Sequence, residues 1–330
     1  MLNSTLIDST SEALDRANQV LVITLVQPDG DAISSLLATG HALQQLDKQF
    51  TLVCDDGLPA RYRFLPLSEL VRNSPVRVQE YDLIIALDAA DESRMGRAHE
   101  RLGRPRPEII NIDHHVTNMG YGKINLIDDQ AASTTEILAL LFPLLGIEIS
   151  KGMAQCLLAG IVTDTLSFST ANVTSKTLEI ASSLVTKGAD LYNISLNAIH
   201  LHQLSKLKLW QIGLKNLTME EGVIWTVINN EEREGAGHTA SSSFGLGNFM
   251  SNVNEAAMSA VLLEMGDGNV SVGFRSRPPY DVSQIAVSLG GGGHSLASGC
   301  TVRGPLAQAE SIVITRCKSS ISQQLRDRER

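Results

Sequence analysis

Cysteine is scarce in this chain and scattered. Cys54, Cys156, Cys300 and Cys317 stand far apart with no CxxC pair, so neither a zinc ribbon nor a disulfide framework is expected. Positive charge is short as well. A net charge of -9 and a pI near 5.4 speak against a protein that grips long nucleic acid through many phosphate contacts, while a short nucleotide held by a few local cations stays open. Long apolar runs are missing. The most apolar stretch, ILALLFPLLGIEI (137–149), is too short to span a bilayer and contains Pro143, and the N-terminus lacks a basic segment followed by an apolar one. There is no internal repeat and no low-complexity segment. These absences point to a soluble protein of the reducing cytoplasm, with no membrane partner.

What is present suits two ordinary domains: 330 residues, 43% of them hydrophobic. In the first half, QVLVITLV (19–26), YDLIIALD (81–88) and EIINID (108–113) are short, β-branched and apolar on both faces, as buried parallel strands are. ISSLLATGHALQQLD (33–47) has helical spacing and FTLVCDD (50–56) reads as a further strand, which gives a βαβ rhythm. The fold class expected is α/β, a doubly wound and mainly parallel sheet. Ser133 and Glu136 form a capping-box pattern ahead of a helix, and a second helix, MAQCLLAGIVTDT, delivers Asp164 near its end. Residues 174–218 read as helical, with Lys206, Lys208 and Lys215 on a polar face. A smaller α/β domain follows, with strands GVIWTVIN, SAVLLEM and NVSVGFRSR, a short helix DVSQIAVSL, four glycines and a long C-terminal helix. The expected boundaries are 1–185, a helical linker 186–218, and 219–330.

Open α/β sheets bind ligands at the carboxyl ends of their strands. Here the first strand leads into Asp29 and Asp31 around Gly30, the next ends at Asp88 with Asp91 close behind, and another ends at Asp113, His114 and His115. Asp164 arrives from a helix. A single aspartate in such a place is often a helix cap or turn residue, but four segments converging on acid or imidazole is a different matter. Desolvating so many carboxylates needs a strong counter-charge, since each unpaired buried anion costs several kcal/mol. Oxygen-rich ligands with one or two imidazoles and no thiolate favour Mn2+ or Mg2+ over structural zinc, and five or six ligands suit two ions about 3.5–4 Å apart. His41, His99, His200, His202 and His238 have no such acidic company and read as structural.

In the second domain, Gly290–Gly293 let the backbone approach an anion and offer amide donors beside His294. Arg275 and Arg277 flank them; Arg275 is the better clamp for a terminal phosphate, because Arg277 precedes two prolines and is expected to face water.

PDGDA (28–32), the Asp88 strand end, DHHVTN (113–118), GIVTDT (160–165) and GGGGHSLASG (290–299) together resemble the DHH/DHHA1 phosphoesterases, in particular the bifunctional oligoribonuclease and 3′-phosphoadenosine 5′-phosphate phosphatase type, over nearly the whole chain. The resemblance implies that Asp29, Asp31, Asp88, His114 and Asp164 bind metal, with Asp88 bridging two ions. It implies that Asp88, His115 and Asp113 are catalytic, His115 touching the scissile phosphate and Asp113 orienting an imidazole. His115, Asn118, Arg275, Gly291, Gly292, Gly293 and His294 would bind substrate. The activity implied is Mn2+-dependent hydrolysis, by in-line attack between two metals in the cleft between the domains, of short oligoribonucleotides, linear dinucleotides such as pApA or pGpG, or a nucleoside bisphosphate. A homodimer is left open.

Two departures stand out. Leu25 occupies the place of a histidine ligand, with Gln27 nearby as a weaker carbonyl donor, and Ser169 stands where an arginine is usual. Leu25 raises an alternative reading, a degenerate nucleotide-binding module with little or no hydrolysis. A RecJ-like exonuclease would carry further nucleic-acid modules, and a family II pyrophosphatase would lack the glycine run.

Overall fold

Strand β1 (Gln19–Thr24) shows why the first half folds as it does: Val20 and Val22 enter one apolar cluster while Leu21 and Ile23 enter another. A strand with two buried faces must lie inside a sheet covered on both sides. In the computed structural model, which describes residues 3–76, 80–102, 106–238 and 242–328, that sheet has the order β3-β2-β1-β4-β5-β6. The other strands are β2 (Gln49–Val53), β3 (Val71–Arg72), β4 (Leu83–Leu87), β5 (Glu108–Asp113) and β6 (Ile124–Ile127), and every pairing is parallel. The α/β, doubly wound reading holds. The order reverses between β1 and β4, and this switch point is where such sheets open a crevice.

Helix α1 (Ser4–Arg16) precedes the sheet; α2 (Gly30–Gln45) follows β1, and α3 (Gly96–Glu100) follows β4. Helices α4 (Thr134–Leu144) and α5 (Lys151–Asp164) come after β6. Ser133 caps α4 by accepting from the Glu136 amide at 3.0 Å, but the Glu136 carboxylate accepts from the Ala132 amide, one residue earlier than the reciprocal box would have it. Two glycines bring these helices into close approach. A Cβ on Gly30 would lie 2.2 Å from Thr163 Oγ1, and one on Gly160 would lie 2.4 Å from Thr135 Oγ1 and 2.6 Å from Asp31 Oδ1.

The chain divides into two units, Met1–Leu201 and His202–Arg330. The stretch read as a linker lies across this division. It is preceded by α6 (Ser175–Thr186) and contains α7 (Leu191–Ser195), which runs into a π-helical turn Leu196–His200, then α8 (Leu204–Lys215).

The second unit is built on a mixed sheet of order β11-β12-β10-β9-β8-β7. Its elements are β7 (Thr218–Glu220), β8 (Val223–Ile228), α9 (Asn230–Gly235), α10 (Leu246–Ser251), β9 (Met258–Glu264), β10 (Asn269–Ser276), α11 (Ser283–Ser288), β11 (Gly292–His294), β12 (Ala297–Arg303) and α12 (Leu306–Arg328). Only β8 and β9 pair in parallel among the described residues. Along β9, Met258, Ala260 and Leu262 pack into one cluster and Val261 and Leu263 into a second, so this sheet too is covered on both faces. Among the described residues, no helix is long and apolar enough to cross a membrane.

Candidate metal centre

At the switch point, the chain leaving β1 places Asp29 at the N-cap of α2, where its side chain accepts from the Ala32 amide at 3.0 Å. Asp29 is exposed. Asp31, in the first turn of the same helix, is fully buried. It faces the N-terminus of α4: Asp31 Oδ2 accepts from the Thr134 amide at 2.6 Å, and Oδ1 accepts from the Thr135 amide at 3.1 Å and its hydroxyl at 2.6 Å. A helix N-terminus is a natural seat for a carboxylate. Burial, with the charge of Asp29, nevertheless raises the Asp31 pKa.

Asp88 follows β4 with φ 57°, in the left-handed region that aspartate enters more readily than most residues. Its Oδ1 accepts from the Thr134 hydroxyl at 2.9 Å. Burial first, and then the charges of Asp31, Asp29, Asp113 and Asp164, push its pKa well up. Burial and neighbouring Asp31 and Asp29 likewise raise Asp164, to about 8. His114 stands between them, its Nε2 3.7 Å from Asp88 Oδ1 and 3.5 Å from Asp164 Oδ2. The other ring nitrogen, Nδ1, is 3.4 Å from the Ala131 carbonyl, an acceptor that leaves Nε2 as the ligand atom.

Asp113 is turned to a different task. Its Oδ1 accepts from the His114 and His115 amides at 2.8 and 3.2 Å and meets His115 Nδ1 at 2.7 Å, while Oδ2 accepts from Asn118 Nδ2 at 2.6 Å. Burial works to raise its pKa, but these donors outweigh burial and hold it below the usual value. The same contact raises the His115 pKa. The His115 ring is thereby held with Nε2 as its outward nitrogen.

Two overlapping groups can each close on a cation: Asp88, Asp113, His114 and His115, and Asp31, His114 and Asp164. Among the described residues, no lysine or arginine pairs with Asp31, Asp88 or Asp164. Carboxylates pushed upward by one another, with a fixed imidazole and no cationic side chain, are the donor set a hard divalent cation fits.

A family model described as the DHH family, N-terminal domain, matches residues 19–161. The chain is 32% identical over 306 residues to the bifunctional oligoribonuclease and PAP phosphatase NrnA of Thermus thermophilus, covering 92% of this chain and 90% of that protein.

The chain belongs to the DHH family.

A second relative of the same name, from Bacillus subtilis, is 27% identical over 284 residues, covering 84% of this chain and 87% of that one. In fold, this DHH-family chain is similar to an exopolyphosphatase-related protein from Bacteroides fragilis, with a TM-score of 0.89, 24% identity and 96% of both chains covered.

The remaining residues singled out from the sequence are placed as follows. Asp91 does not join the acidic groups; it caps the 3-10 turn Glu92–Met95, accepting from the Ser93 and Arg94 amides. Leu25, expected at the metal site, is 7% exposed and packs in an apolar cluster with Ala32, Val53 and Ala89. Gln27 is exposed, and its amide donates to Asp56 Oδ2. Asn118 is turned inward, on Asp113, Asn111 and the Ala89 carbonyl.

In the second unit, Arg275 borders a pocket of about 170 Å3 with Ser243, Gly247, Asn248 and Ser271. Its guanidinium donates to Asn248 Oδ1 at 2.5 Å and to the Phe274 carbonyl at 2.7 Å. Arg277 is a correction. Its guanidinium is half-buried and turns inward, Nη2 donating to the carbonyls of Val253, Asn254 and Ala256, which the turn after α10 brings to it; the Val253 carbonyl also accepts from the Ala256 amide. Gly291 lies against β12, where a Cβ would come 2.1 Å from the Gly299 carbonyl oxygen, and Gly293 has φ 136°. Gly292 and His294 are exposed on the edge strand β11. Thr134, Thr135, Asn111 and Asn125 were not singled out from the sequence, since nothing in their spacing marks them; only the approach of α4 to α2 and the register of β5 on β6 gives them work.

Proposed function

We propose that this chain removes a phosphate or a mononucleotide from very short substrates, such as 3′-phosphoadenosine 5′-phosphate, di- to pentaribonucleotides and linear dinucleotides, with Mn2+ as its cation. As a DHH-family chain it is a hydrolase acting on phosphoester bonds; the substrate and the metal are what is proposed. The relatives' names, oligoribonuclease and PAP phosphatase, support the substrate class. The observation that carries the reading is the group of Asp31, Asp88, Asp164 and His114, buried or half-buried without a cationic partner among the described residues.

Two divalent ions, when bound, would supply an activated water and stabilise charge developing on the phosphate oxygens. The residues proposed to hold them are Asp29, Asp31, Asp88, His114 and Asp164. The protein's own part is positional. Thr134 and Thr135 fix the Asp31 carboxylate, and Thr134 fixes Asp88, so neither has to reorganise when substrate arrives. His115, with Nδ1 held by Asp113, presents Nε2 for a hydrogen bond to a phosphate oxygen. Arg275, the amides of Gly292 and Gly293, and His294 are the groups proposed to bind the rest of the substrate, with Gly291, whose amide donates to the Ala286 carbonyl, shaping the turn and Asn118, turned inward, acting through Asp113. Chain length would be limited by the small number of cations available, in keeping with the net charge of -9.

The competing reading, a nucleotide binder that does not hydrolyse, is favoured by Leu25. Phosphate release from 3′-phosphoadenosine 5′-phosphate and cleavage of a diribonucleotide, each measured with Mn2+ and after chelation, separate the two. Turnover of either substrate that needs the metal supports the proposal. Cation binding with no turnover of either supports the binder.

A further inference from the structure

Behind Asp113 lies a run of asparagine amides that no ligand or fold requirement so far described explains. On the face of the sheet where β1 buries Leu21 and Ile23 and β4 buries Ile84 and Ala86, β5 carries Asn111, fully buried. A valine or isoleucine would suit that place, and burying an amide instead is costly unless its polar atoms are paired. They are paired, and the pairs lead in one direction. Asn111 stands in register opposite Asn125 of β6, and its Nδ2 donates to Asn125 Oδ1 at 3.1 Å and to Asn118 Oδ1 at 3.0 Å. Asn111 Oδ1 in turn accepts from Asn118 Nδ2 at 3.2 Å. Asn118 passes the contact on to Asp113 at 2.6 Å, and Asp113 holds His115 Nδ1 at 2.7 Å. The far end is anchored too: Asn125 Oδ1 accepts from the Gly122 amide at 2.9 Å, its Nδ2 donates to the Gly122 carbonyl at 2.6 Å, and a Cβ on Gly122 would press on Asn111 Cβ at 2.9 Å.

We infer that Asn111 and Asn125 are positioning residues for the hydrolysis proposed above: the relay Asn125, Asn111, Asn118, Asp113 sets the rotation of the His115 ring and which of its nitrogens carries the proton. Asn118 Nδ2 has two protons for three acceptors, Asp113, Asn111 and the Ala89 carbonyl. Without Asn111, Asn118 Oδ1 keeps only the Gly120 amide at 2.9 Å, and its Nδ2 loses one of the two partners that set it against Ala89, so its hold on Asp113 Oδ2 loosens. His115 then loses the partner that fixes its tautomer. A role confined to closing the 118–125 loop would not reach the imidazole.

The test uses the full-length protein carrying Asn125→Ala, Asn125→Asp and Asn111→Ala. Asn125→Asp keeps the acceptor that Asn111 and Gly122 use and gives up only the donor to the Gly122 carbonyl, a contact outside the relay. One readout is the imidazole 15N pattern of His115 in metal-free protein, which depends on no substrate and so stands or falls apart from the proposed activity. The other is kcat and KM for 3′-phosphoadenosine 5′-phosphate in Mn2+. Asn125→Ala and Asn111→Ala should show a mixed-tautomer His115 pattern and a kcat lower by about 10- to 100-fold, with KM changed by about threefold or less. Asn125→Asp should restore the single tautomer and most of kcat. Should Asn111→Ala fail to fold, the half-buried Asn125 pair carries the comparison. An unchanged His115 pattern in folded Asn125→Ala, or equal losses in the alanine and aspartate variants, would overturn the inference.

Discussion

Stripping divalent cation from the protein and raising the pH should destabilise it, and the size of the effect can be worked from Asp164. Its carboxyl, 22% exposed, titrates at about 8 in the folded chain against 3.8 ordinarily. Between those values the folded state holds a proton that the unfolded state has released, so stability falls as pH rises through the window. One pKa unit is worth about 1.4 kcal/mol. From about pH 5.5 to about pH 8, Asp164 alone therefore costs about 3 kcal/mol, or about 6 to 12 °C in melting temperature for a unit of this size. Asp31 and Asp88 shift in the same direction, but they share the same repulsions and do not add in full. His115, raised by Asp113, also loses stabilisation as pH climbs. Melting curves of chelated wild type and Asp164→Asn across this range isolate the effect: the wild type should lose melting temperature steadily while the variant stays flatter. Added Mn2+ should rescue the wild type most at the upper end, where it no longer competes with protons. A chelated wild type whose pH profile overlays that of Asp164→Asn would refute the reasoning.

Gly160→Ala should lower Mn2+ affinity by about tenfold or more, because the new Cβ would sit 2.6 Å from Asp31 Oδ1 and 2.4 Å from Thr135; calorimetric titration checks this, and unchanged affinity would count against the close fit of α5 on Asp31. Leu25→His should reduce stability by about 2–4 kcal/mol by placing an imidazole in an apolar cluster, without tightening Mn2+ binding; tenfold tighter binding with an unchanged melting curve would show that residue 25 reaches the metals after all. Leu166→Gly should raise stability by about 1 kcal/mol, since Leu166 is 60% exposed and holds φ 47°; a lower melting temperature would mean that its side chain contributes more than its backbone strain costs.

Much of the first sheet was legible because β1, β4 and β5 have two buried faces and so read as unbroken apolar runs. Strands β3 and β6 escaped notice, being two and four residues long, and β12 was hidden by Ser298 and Gly299 within it. The acidic groups were legible for a topological reason, since strand ends converge whatever the side chains between them. Their supports were not. Thr134 and Thr135 act on Asp31 only because Gly30 and Gly160 let α2, α4 and α5 approach closely, and Asn111 meets Asn125 only through the register of β5 on β6. Arg277 was misjudged because its carbonyl partners lie more than 20 residues away in sequence, brought over by the fold of Val253–Ala256. Leu25 read as a gap in a ligand set, whereas its neighbours in space make it part of the core.

The central claim is that the carboxylate cluster is a divalent-cation site at which small phosphoesters are hydrolysed, and Asp88, buried and with its pKa pushed well up by burial and by four neighbouring aspartates, is the place to test it. The most direct measurement is phosphate release from 3′-phosphoadenosine 5′-phosphate as a function of Mn2+ concentration, for wild type and Asp88→Asn side by side. The substituted amide would keep the volume and the Thr134 contact while removing the charge, so the fold should survive. The account predicts saturable, Mn2+-dependent release by the wild type and a loss of about a thousandfold or more in the variant. Release by the wild type that persists after complete chelation, or an Asp88→Asn protein that turns over like the wild type, would contradict it.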